Sequence, residues 1–295
     1  MTPDERRGVL SGLFCYVLWG LFPIYWKLLS EVDSLEIIAH RIIWCFVLVI
    51  VVCLVGKLGL GTLMRQRRAW AYLVPCAVFI TINWSVYIYA VNSGHVVETA
   101  IGYYINPLVS IVLGVVFFHE RLTRLQSIAV AFCTFGIVFF TVNYGQFPWI
   151  AIALAVSFGV YGALKKKAAY PAVTALGVEC TVMVVPAIVF AIVLANVTGS
   201  HAFLGDTATA HGWLITALLV LAGAVTAVPL ILFANAANKI PLSLLGFLQY
   251  ISPTIALLTG VFLFGEPFTL AHAVCLGSIW CGLALVSYET VRSAR

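Results

Sequence analysis

The sequence predicts an all-α integral membrane protein with ten transmembrane helices, arranged as two inverted five-helix repeats. Composition, the placement of basic residues and an internal repeat support this prediction. The chain has 295 residues, of which 63% are apolar and 9% are charged, and its mean hydropathy is +1.08. Soluble domains are about 45–50% apolar and about 25% charged, so a water-soluble fold of this size is excluded.

Ten apolar stretches are long enough to cross a bilayer, because a helix needs about 20 mostly apolar residues to span about 30 Å of hydrocarbon. The loops between them are too short to form a soluble domain. The first stretch follows Arg6 and Arg7, as the apolar part of a signal peptide would. It shows no small-residue cleavage site, so we expect it to be retained as a span. The predicted spans are residues 8–29, 35–56, 69–92, 96–118, 124–143, 147–164, 173–195, 212–235, 241–264 and 270–289.

The basic residues predict the orientation, because Lys and Arg concentrate in cytoplasmic segments of membrane proteins. With both termini in the cytoplasm, fourteen of the sixteen Lys and Arg fall in cytoplasmic segments, among them the run Lys165–Lys167. The two that do not are Lys27, at the outer end of the first span, and Arg41, inside the second. One missed helix would disturb this alternation, so the agreement supports both the orientation and the number of spans.

An internal repeat relates the two halves of the chain. A shift of 146 residues aligns Ala90–Thr123 with Ala236–Thr269 without a gap. Apolar bias alone would not be expected to align prolines, glycines and a helix-terminal Glu together. The matched residues include Tyr104 and Tyr250, Pro107 and Pro253, Gly114 and Gly260, Phe118 and Phe264, and Glu120 and Glu266.

An odd number of spans in each half places the two halves in the membrane in opposite orientations. We therefore predict one repeat over residues 1–145 and a second, inverted repeat over residues 146–295, with Glu120 in the cytoplasm and Glu266 outside. Inverted repeats with matching interrupted helices are common in secondary transporters, which bind the solute near the midplane between the halves. A duplicated helical bundle can also be a channel, a scaffold or a membrane enzyme, and these alternatives stay open.

Four segments resemble a known family. Asp33–Trp44, Asn83–Asn92, Gly102–Glu120 and Gln249–Glu266 are similar to segments of the RarD branch of the EamA-domain drug/metabolite transporters. The likeness covers essentially the whole chain. It implies a five-plus-five inverted-repeat transporter of the bacterial cytoplasmic membrane, in a branch whose name is linked with chloramphenicol sensitivity or resistance. The resemblance does not supply a substrate.

Polar residues within the predicted spans indicate a solute cavity, because ionisable groups in a bilayer cost roughly a few kcal/mol and need a reason. Arg41 is expected to bind an anionic group such as a carboxylate with two parallel hydrogen bonds, the alternative being a structural pair or snorkelling. Pro107 and Pro253 are predicted kinks whose freed carbonyls face protein or a wet cavity. Simple helix packing is the alternative for each polar residue. The other predicted cavity residues are Trp44, Asn83, Tyr87, Tyr103, Asn106, Gln249 and Ser252.

Glu179 is the second ionisable residue expected deep in the membrane. It follows Pro171 by eight residues, as Arg41 follows Asp33, so the two have similar depths in their spans. We hypothesise that Glu179 is a proton-coupling carboxylate; a hydrogen-bonded structural residue is the alternative. A pair with Arg41 is conceivable, although the inverted symmetry places the two towards opposite faces of the membrane.

These patterns predict a secondary transporter, a permease for a small organic solute that works by alternating access. Aromatic residues make up 13% of the chain, which suits an amphipathic organic solute better than an inorganic ion. The sequence contains no HExxH, no Asp-rich motif and no P-loop, and its Cys and His lack metal-site spacing. We expect no metal, no cofactor and no nucleic acid, with a membrane enzyme or a non-transporting scaffold as the alternative. Membrane lipid is an expected partner, and small residues favour close helix packing or a homodimer at Gly8, Gly12, Gly277 and Gly282.

Overall fold

A computed structural model describes residues 2–93, 95–198, 202–205, 209–265 and 268–293, which fold as an all-helical chain. Ten helices within these residues are long and apolar enough to cross a bilayer, as predicted. The chain is therefore an all-α, multi-pass membrane protein. Its helices are α1 (Pro3–Lys27), α2 (Ser34–Val55), α3 (Leu60–Met64), α4 (Arg67–Asn92), α5 (Val96–Phe118), α6 (Arg124–Tyr144), α7 (Trp149–Ala168), α8 (Ala172–Thr198), α9 (Ala210–Lys239), α10 (Leu242–Gln249), α11 (Ile251–Phe264) and α12 (Leu270–Ser293).

Four helices, α1, α2, α6 and α9, begin after a residue whose side chain caps the first turn. Thr2 accepts a hydrogen bond from the amide of Glu5 at 3.2 Å, and the Glu5 carboxylate accepts one from the amide of Thr2 at 2.7 Å. Thr123 and Gln126 form the same reciprocal arrangement at the start of α6. Each such box satisfies amide groups that the first turn of a helix leaves without an intrahelical partner.

The ninth span differs from the prediction, because it is divided into α10 and α11 by the single residue Tyr250. Pro253 has no amide hydrogen to donate to the carbonyl of Gln249, which is where α10 ends. Its repeat partner Pro107 leaves α5 continuous from Val96 to Phe118. The two prolines therefore occupy different local structures. The short helix α3 was not anticipated either.

The strongest contacts between helices follow a pattern that is largely unchanged when the two halves of the chain are exchanged. We call two helices counterparts when they hold the same place in the first and the second half of the chain. α1 packs against α9 and α11, and its counterpart α7 packs against α4 and α5. Contacts also join the counterparts α2 and α8, α5 and α10, and α6 and α12. The ammonium group of Lys166 lies 5.5 Å from the ring centroid of Phe118, and that of Lys27 lies 5.6 Å from the ring centroid of Phe264. Glu266 falls outside the described residues, and the inverted relation of the repeats stays a prediction.

Glycine allows close approaches between the two halves of the chain. A Cβ atom on Gly223 of α9 would lie 2.4 Å from the carbonyl carbon of Trp44 in α2. Gly8 and Gly12 likewise lie against residues of α9 and α10 within the same chain, whereas a Cβ on Gly277 would meet nothing within 4 Å. Small residues let helix backbones approach in this way in membranes. The homodimer remains a prediction.

Replacing Gly223 by alanine should destabilise the protein, because the added methyl group forces α2 and α9 apart. Overpacking of this kind costs about 1–3 kcal/mol. Thermal unfolding of the purified protein in detergent measures the effect. Gly277→Ala is the matched control, since open space surrounds that position and alanine favours a helix by about 1 kcal/mol over glycine. Equal unfolding temperatures for Gly223→Ala and wild type would contradict the close contact.

Candidate solute-binding cavity

A cavity of about 260 Å³ lies between helices of both halves of the chain. Consecutive spans run in opposite directions, so α1 ends, and α2 begins, on the side of the membrane opposite the N-terminus, which we call the far side. The lining residues from α1, such as Trp26, come from the second half of that helix, and Arg41 comes from the first half of α2. The cavity therefore extends from the middle of the bundle towards the far side.

Most of the side chains predicted to form a solute site line this one cavity. They come from α2, α4, α5, α10 and α11, which are brought together from positions up to about 200 residues apart in the sequence. Pro253 also lines the cavity, whereas Trp44, Pro107 and Glu179 do not. The predicted residues that line it are Arg41, Asn83, Tyr87, Tyr103, Asn106, Gln249 and Ser252.

Arg41 lies between two indole rings. Its guanidinium carbon is 4.7 Å from the ring centroid of Trp26 and 4.9 Å from that of Trp84, and its Nε donates a hydrogen bond to Thr226 Oγ1 at 3.1 Å. Within the described residues, no carboxylate forms an ion pair with Arg41, and its two terminal nitrogens donate no hydrogen bond. Cation–π contacts contribute about 0.5–2 kcal/mol each. The indoles therefore hold the cation while leaving its terminal N–H groups available.

Two amide side chains of the cavity wall are positioned by neighbouring helices. The Nδ2 atom of Asn83 donates to the carbonyl of Leu154 at 2.8 Å and to Ser157 Oγ at 3.0 Å. The Oε1 atom of Gln249 accepts a hydrogen bond from Ser110 Oγ at 3.3 Å. Each amide therefore has one polar atom engaged with protein and a second one available for a solute.

Asn106 and Tyr16 contribute buried oxygen atoms that lack a partner. Neither Asn106 Oδ1 nor the hydroxyl of Tyr16 forms a hydrogen bond with a described residue. Asn106 is only 5% exposed, yet it lines the cavity. Leaving such a group unsatisfied costs about 1–3 kcal/mol, so a hydrogen-bond donor that reached either oxygen would be stabilised.

Several lining residues were not predicted as site residues. Thr226 is one of two threonines in the long apolar helix α9, and nothing in its neighbourhood along the chain indicates that it meets Arg41. Trp26 lies at the end of the first span, where interfacial tryptophans are common, so its position in the sequence does not indicate a cavity. Trp19 and Trp84 lie within spans, and the sequence does not indicate which face of the helix they occupy. Aromatic rings nevertheless form much of the wall, namely Tyr16, Trp19, Phe22, Trp26, Trp84 and Phe158.

An aromatic cluster closes the cavity on the side of the N-terminus. We call Trp19, Phe158, Tyr161 and Phe233 the aromatic plug. The rings of Trp19 and Phe158 lie 5.5 Å apart, those of Phe158 and Phe233 5.2 Å, and those of Tyr161 and Phe233 5.8 Å in a stacked pair. Tyr161 and Phe233 are almost completely buried. The side of the bundle where the N-terminus lies is thus a packed core, whereas the far side contains the cavity.

Glu179 lies behind the aromatic plug and not in the cavity. Its Oε1 is 2.5 Å from Nζ of Lys165, and the two side chains are 1% and 3% exposed. The hydroxyl of Tyr161 donates to its other oxygen at 3.5 Å. Lys165, which the sequence assigned to a cytoplasmic segment, is therefore buried in α7. Arg41 and Glu179 form no pair.

Trp44 supports the bundle beside the cavity. Its Nε1 donates to Nδ1 of His40 at 3.2 Å, its ring centroid lies 5.8 Å from that of Phe203, and its backbone is the surface against which Gly223 packs. Among the described residues, no three His, Cys, Asp or Glu side chains come close enough together to hold a metal ion. The chemistry available in the cavity is therefore that of one cation, several amides and hydroxyls, and an aromatic wall.

Known proteins with similar sequences identify the family. The EamA-like transporter family matches residues 6–142 and again residues 148–288. The chain is 41% identical to the uncharacterized transporter YojE of Bacillus subtilis and 37% identical to protein RarD of Escherichia coli, over 99% of this chain and 97% of each relative. One crystal structure, 19% identical in sequence, has the same fold, with a TM-score of 0.73 over 98% of this chain and 99% of that one. The chain belongs to the EamA-like transporter family, in its RarD branch.

Proposed function

We propose that the protein is a secondary transporter, a permease that carries a small organic solute across the bacterial cytoplasmic membrane by alternating access. The observation that carries this proposal is a cavity lined by both halves of the chain and closed on one side by the aromatic plug. Tyr103 lies in the cavity wall near the start of α5, on the far side, and its 46% exposed surface supports access from that side. A central site reachable from one side at a time is what alternating access requires.

The orientation rests on the basic residues, which favour cytoplasmic termini. The far side is then the outside, and we propose an outward-facing state of two inverted repeats, residues 1–145 and 146–295. The matching contacts of Lys166 with Phe118 and of Lys27 with Phe264 support the repeats, because they join corresponding helix ends on opposite sides of the membrane. No P-loop occurs in the sequence, so we propose an ion gradient or the solute's own gradient as the driving force.

A carboxylate and an ammonium group hold the N-terminal side closed, and we call Glu120 and Lys166 the latch. The two oxygens of Glu120 accept hydrogen bonds from the amides of Leu242 at 2.7 Å and Ser243 at 2.8 Å, at the start of α10. Nζ of Lys166 lies 3.6 Å from Glu120 and donates to the carbonyl of Ile240 at 2.7 Å. α10 ends in the cavity wall at the break that precedes α11. Release of the latch would therefore free a short helix that is hinged next to the solute.

The cavity supports a carrier better than it supports a membrane enzyme. A hydrolase or transferase needs a nucleophile beside a base, or paired carboxylates, and the described cavity residues include neither arrangement. A scaffold would not require a polar cavity within the bilayer, where unsatisfied polar groups are costly.

Flux into proteoliposomes tests the transporter proposal. From a panel of amino acids, aromatic carboxylates, amphenicols, nucleotides and sugars, we expect one class to enter with saturable kinetics and to exchange against the same solute trapped inside. Ala256→Trp fills the cavity and should lower this flux at least about tenfold, which corresponds to a loss of about 1.4 kcal/mol of binding. Phe262→Trp, at a position of α11 that is 82% exposed, is the matched control.

Each other result of the flux assay contradicts the carrier. Flux that does not saturate or exchange would indicate a channel, and a chemically altered product would indicate an enzyme. No flux of any member of the panel would contradict the transporter proposal.

Removing the Glu120 side chain should open the N-terminal side. Hydrogen bonds to charged groups contribute about 1.5–3 kcal/mol each, and Glu120→Ala removes two of them. We expect a cysteine introduced at the buried Leu245 of α10 to react at least about tenfold faster with an impermeant maleimide added on the N-terminal side. The background protein is the Cys281→Ser variant with the same cysteine at position 245, because the other seven native cysteines are buried.

Glu289→Gln is the matched control for the latch, since Glu289 accepts a hydrogen bond from Thr123 at 2.8 Å on the same side of the membrane and forms none with α10. The control should label at the rate of the background protein. Equal labelling of Glu120→Ala and the background would show that the latch does not hold this side closed.

We propose that the pair of Lys165 and Glu179 couples proton movement to transport. Protonation of Glu179 would weaken the attraction between α7 and α8 directly behind Tyr161 of the aromatic plug. This places the coupling group at the element that closes the cavity, without contact to the solute.

Neutral variants of the pair separate coupling from stability. Glu179→Gln should lose solute accumulation driven by a pH gradient but keep solute exchange. Removing one partner of a buried pair costs about 3–5 kcal/mol, so the double variant Lys165→Met, Glu179→Gln should recover stability without recovering accumulation. Accumulation assays in proteoliposomes and thermal unfolding measure the two effects. Accumulation at the wild-type rate by either variant would contradict the coupling role and leave the pair with a structural role alone.

A further inference from the structure

We infer that the cavity selects small amphipathic organic anions, with the anionic group on Arg41 and a hydrogen-bond donor of the solute on Asn106. The inference deepens the proposed function, because it rests on this cavity being the transported solute's site. It concerns the chemical class of the solute and is argued from the charges and the unpartnered polar atoms of the wall.

The first argument is the uncompensated charge of the cavity. Arg41 is the one charged side chain among the described lining residues. The acidic residues that could neutralise it are engaged elsewhere: Glu36 accepts hydrogen bonds from the amides of Ala202 and Phe203, at 2.9 and 3.1 Å, and Glu179 pairs with Lys165. A cation removed from water is stabilised chiefly by a hydrogen-bonded anion. The solute is the group that can supply it.

The second argument is the geometry around the guanidinium. Trp26 and Trp84 lie within 5 Å of its carbon, and Thr226 occupies only Nε. The two terminal nitrogens, each with two N–H groups, remain available, and a carboxylate is the common partner that accepts two parallel bonds from such a fork. A neutral solute would leave these donors and the charge without a partner. The site therefore discriminates by charge.

The third argument is independent of Arg41. Asn106 is 95% buried, since its exposed fraction is 5%, and its Oδ1 accepts no hydrogen bond from a described residue. It lies in the first half of α5, one turn after Tyr103, and lines the same cavity as the two indoles. A carbonyl oxygen is satisfied only by a donor. An O–H or N–H group on the solute body meets this requirement.

The size and lining of the cavity limit the rest of the molecule. Its volume of about 260 Å³ lies below the range of about 300–1,000 Å³ that is typical of sites for drug-sized ligands. Aromatic side chains form much of the cavity wall, with Tyr16, Trp19 and Phe158 among them. One apolar body of roughly the size of a single ring, joined to an anionic group and a donor, matches this space.

Three probes with one phenylpropanoid body test the inference on the purified full-length protein. 3-Phenyllactate has the carboxylate and the hydroxyl donor, 3-phenyllactamide replaces the carboxylate by a neutral amide, and 3-phenylpropionate lacks the hydroxyl. Titrations followed by intrinsic tryptophan fluorescence, which the indoles beside Arg41 make sensitive to the site, measure the dissociation constants. We expect 3-phenyllactate to bind at least about tenfold more tightly than either analogue.

Two variants assign the two preferences to their residues. Arg41→Gln should abolish the preference for carboxylate over amide, and Asn106→Leu should abolish the preference for the hydroxyl. Arg41→Lys should keep part of the charge preference, because the ammonium group cannot form the two parallel bonds. Lys27→Gln is the matched control for net charge, since Lys27 lies on the same helix as Trp26 but outside the cavity wall, and it should keep both preferences.

The outcomes separate this inference from the proposed function. Equal binding of 3-phenyllactate and its amide, or a carboxylate preference that survives in Arg41→Gln, overturns the anion assignment. Absence of binding by all three probes at their solubility limits overturns it as well. In each case the flux panel still decides independently whether the protein transports a solute, because that panel contains neutral compounds. If Arg41→Gln does not fold, the wild-type comparison of carboxylate with amide decides the inference.

Discussion

The lipid bilayer imposes the constraint on which the rest of the structure depends. Its hydrocarbon offers no hydrogen bonds to backbone amides and carbonyls, so each span must satisfy its own backbone and forms a helix. An interruption is tolerated only where protein covers it. The break between α10 and α11 meets this condition, because Tyr250 is completely buried and Gly246 lies against the carbonyl of Pro107. The irregular backbone and the cavity therefore occur in the same part of the bundle.

The same constraint explains why the charged residues within the bundle have different roles. Glu120 is bound by two amides and Lys166, and Glu179 is bound by Lys165, so each of these carboxylates has its compensating groups within the protein. Arg41 has two aromatic faces and one hydroxyl. Aromatic faces stabilise a cation without neutralising it. Compensated charges hold helices together, whereas we propose that the uncompensated charge of Arg41 attracts the solute.

Part of the site could be predicted from the sequence because polarity within an apolar span is a local signal. Tyr103 and Asn106 are three residues apart and therefore share a helix face, and Arg41 has no ordinary reason to lie in hydrocarbon. Trp44 shows the limit of this reasoning. A tryptophan in a span is compatible with lipid, core or cavity, and its packing against Gly223 depends on a helix about 180 residues further along the chain. Thr226 carried no local signal, because a single hydroxyl is common in membrane helices.

The sequence by itself determined the helical class, the ten spans and a set of polar residues predicted to line one cavity. The signals were hydropathy, the placement of basic residues and the internal repeat. They could do so because insertion in a bilayer is decided segment by segment. The tertiary structure decided which side of the membrane the cavity faces, that Lys165 pairs with Glu179 instead of lying in a loop, and that the ninth span is divided at Tyr250. These features depend on distances between side chains of different helices, and a charge or a helix break is stable in the membrane only when its partners from other spans lie within hydrogen-bonding reach.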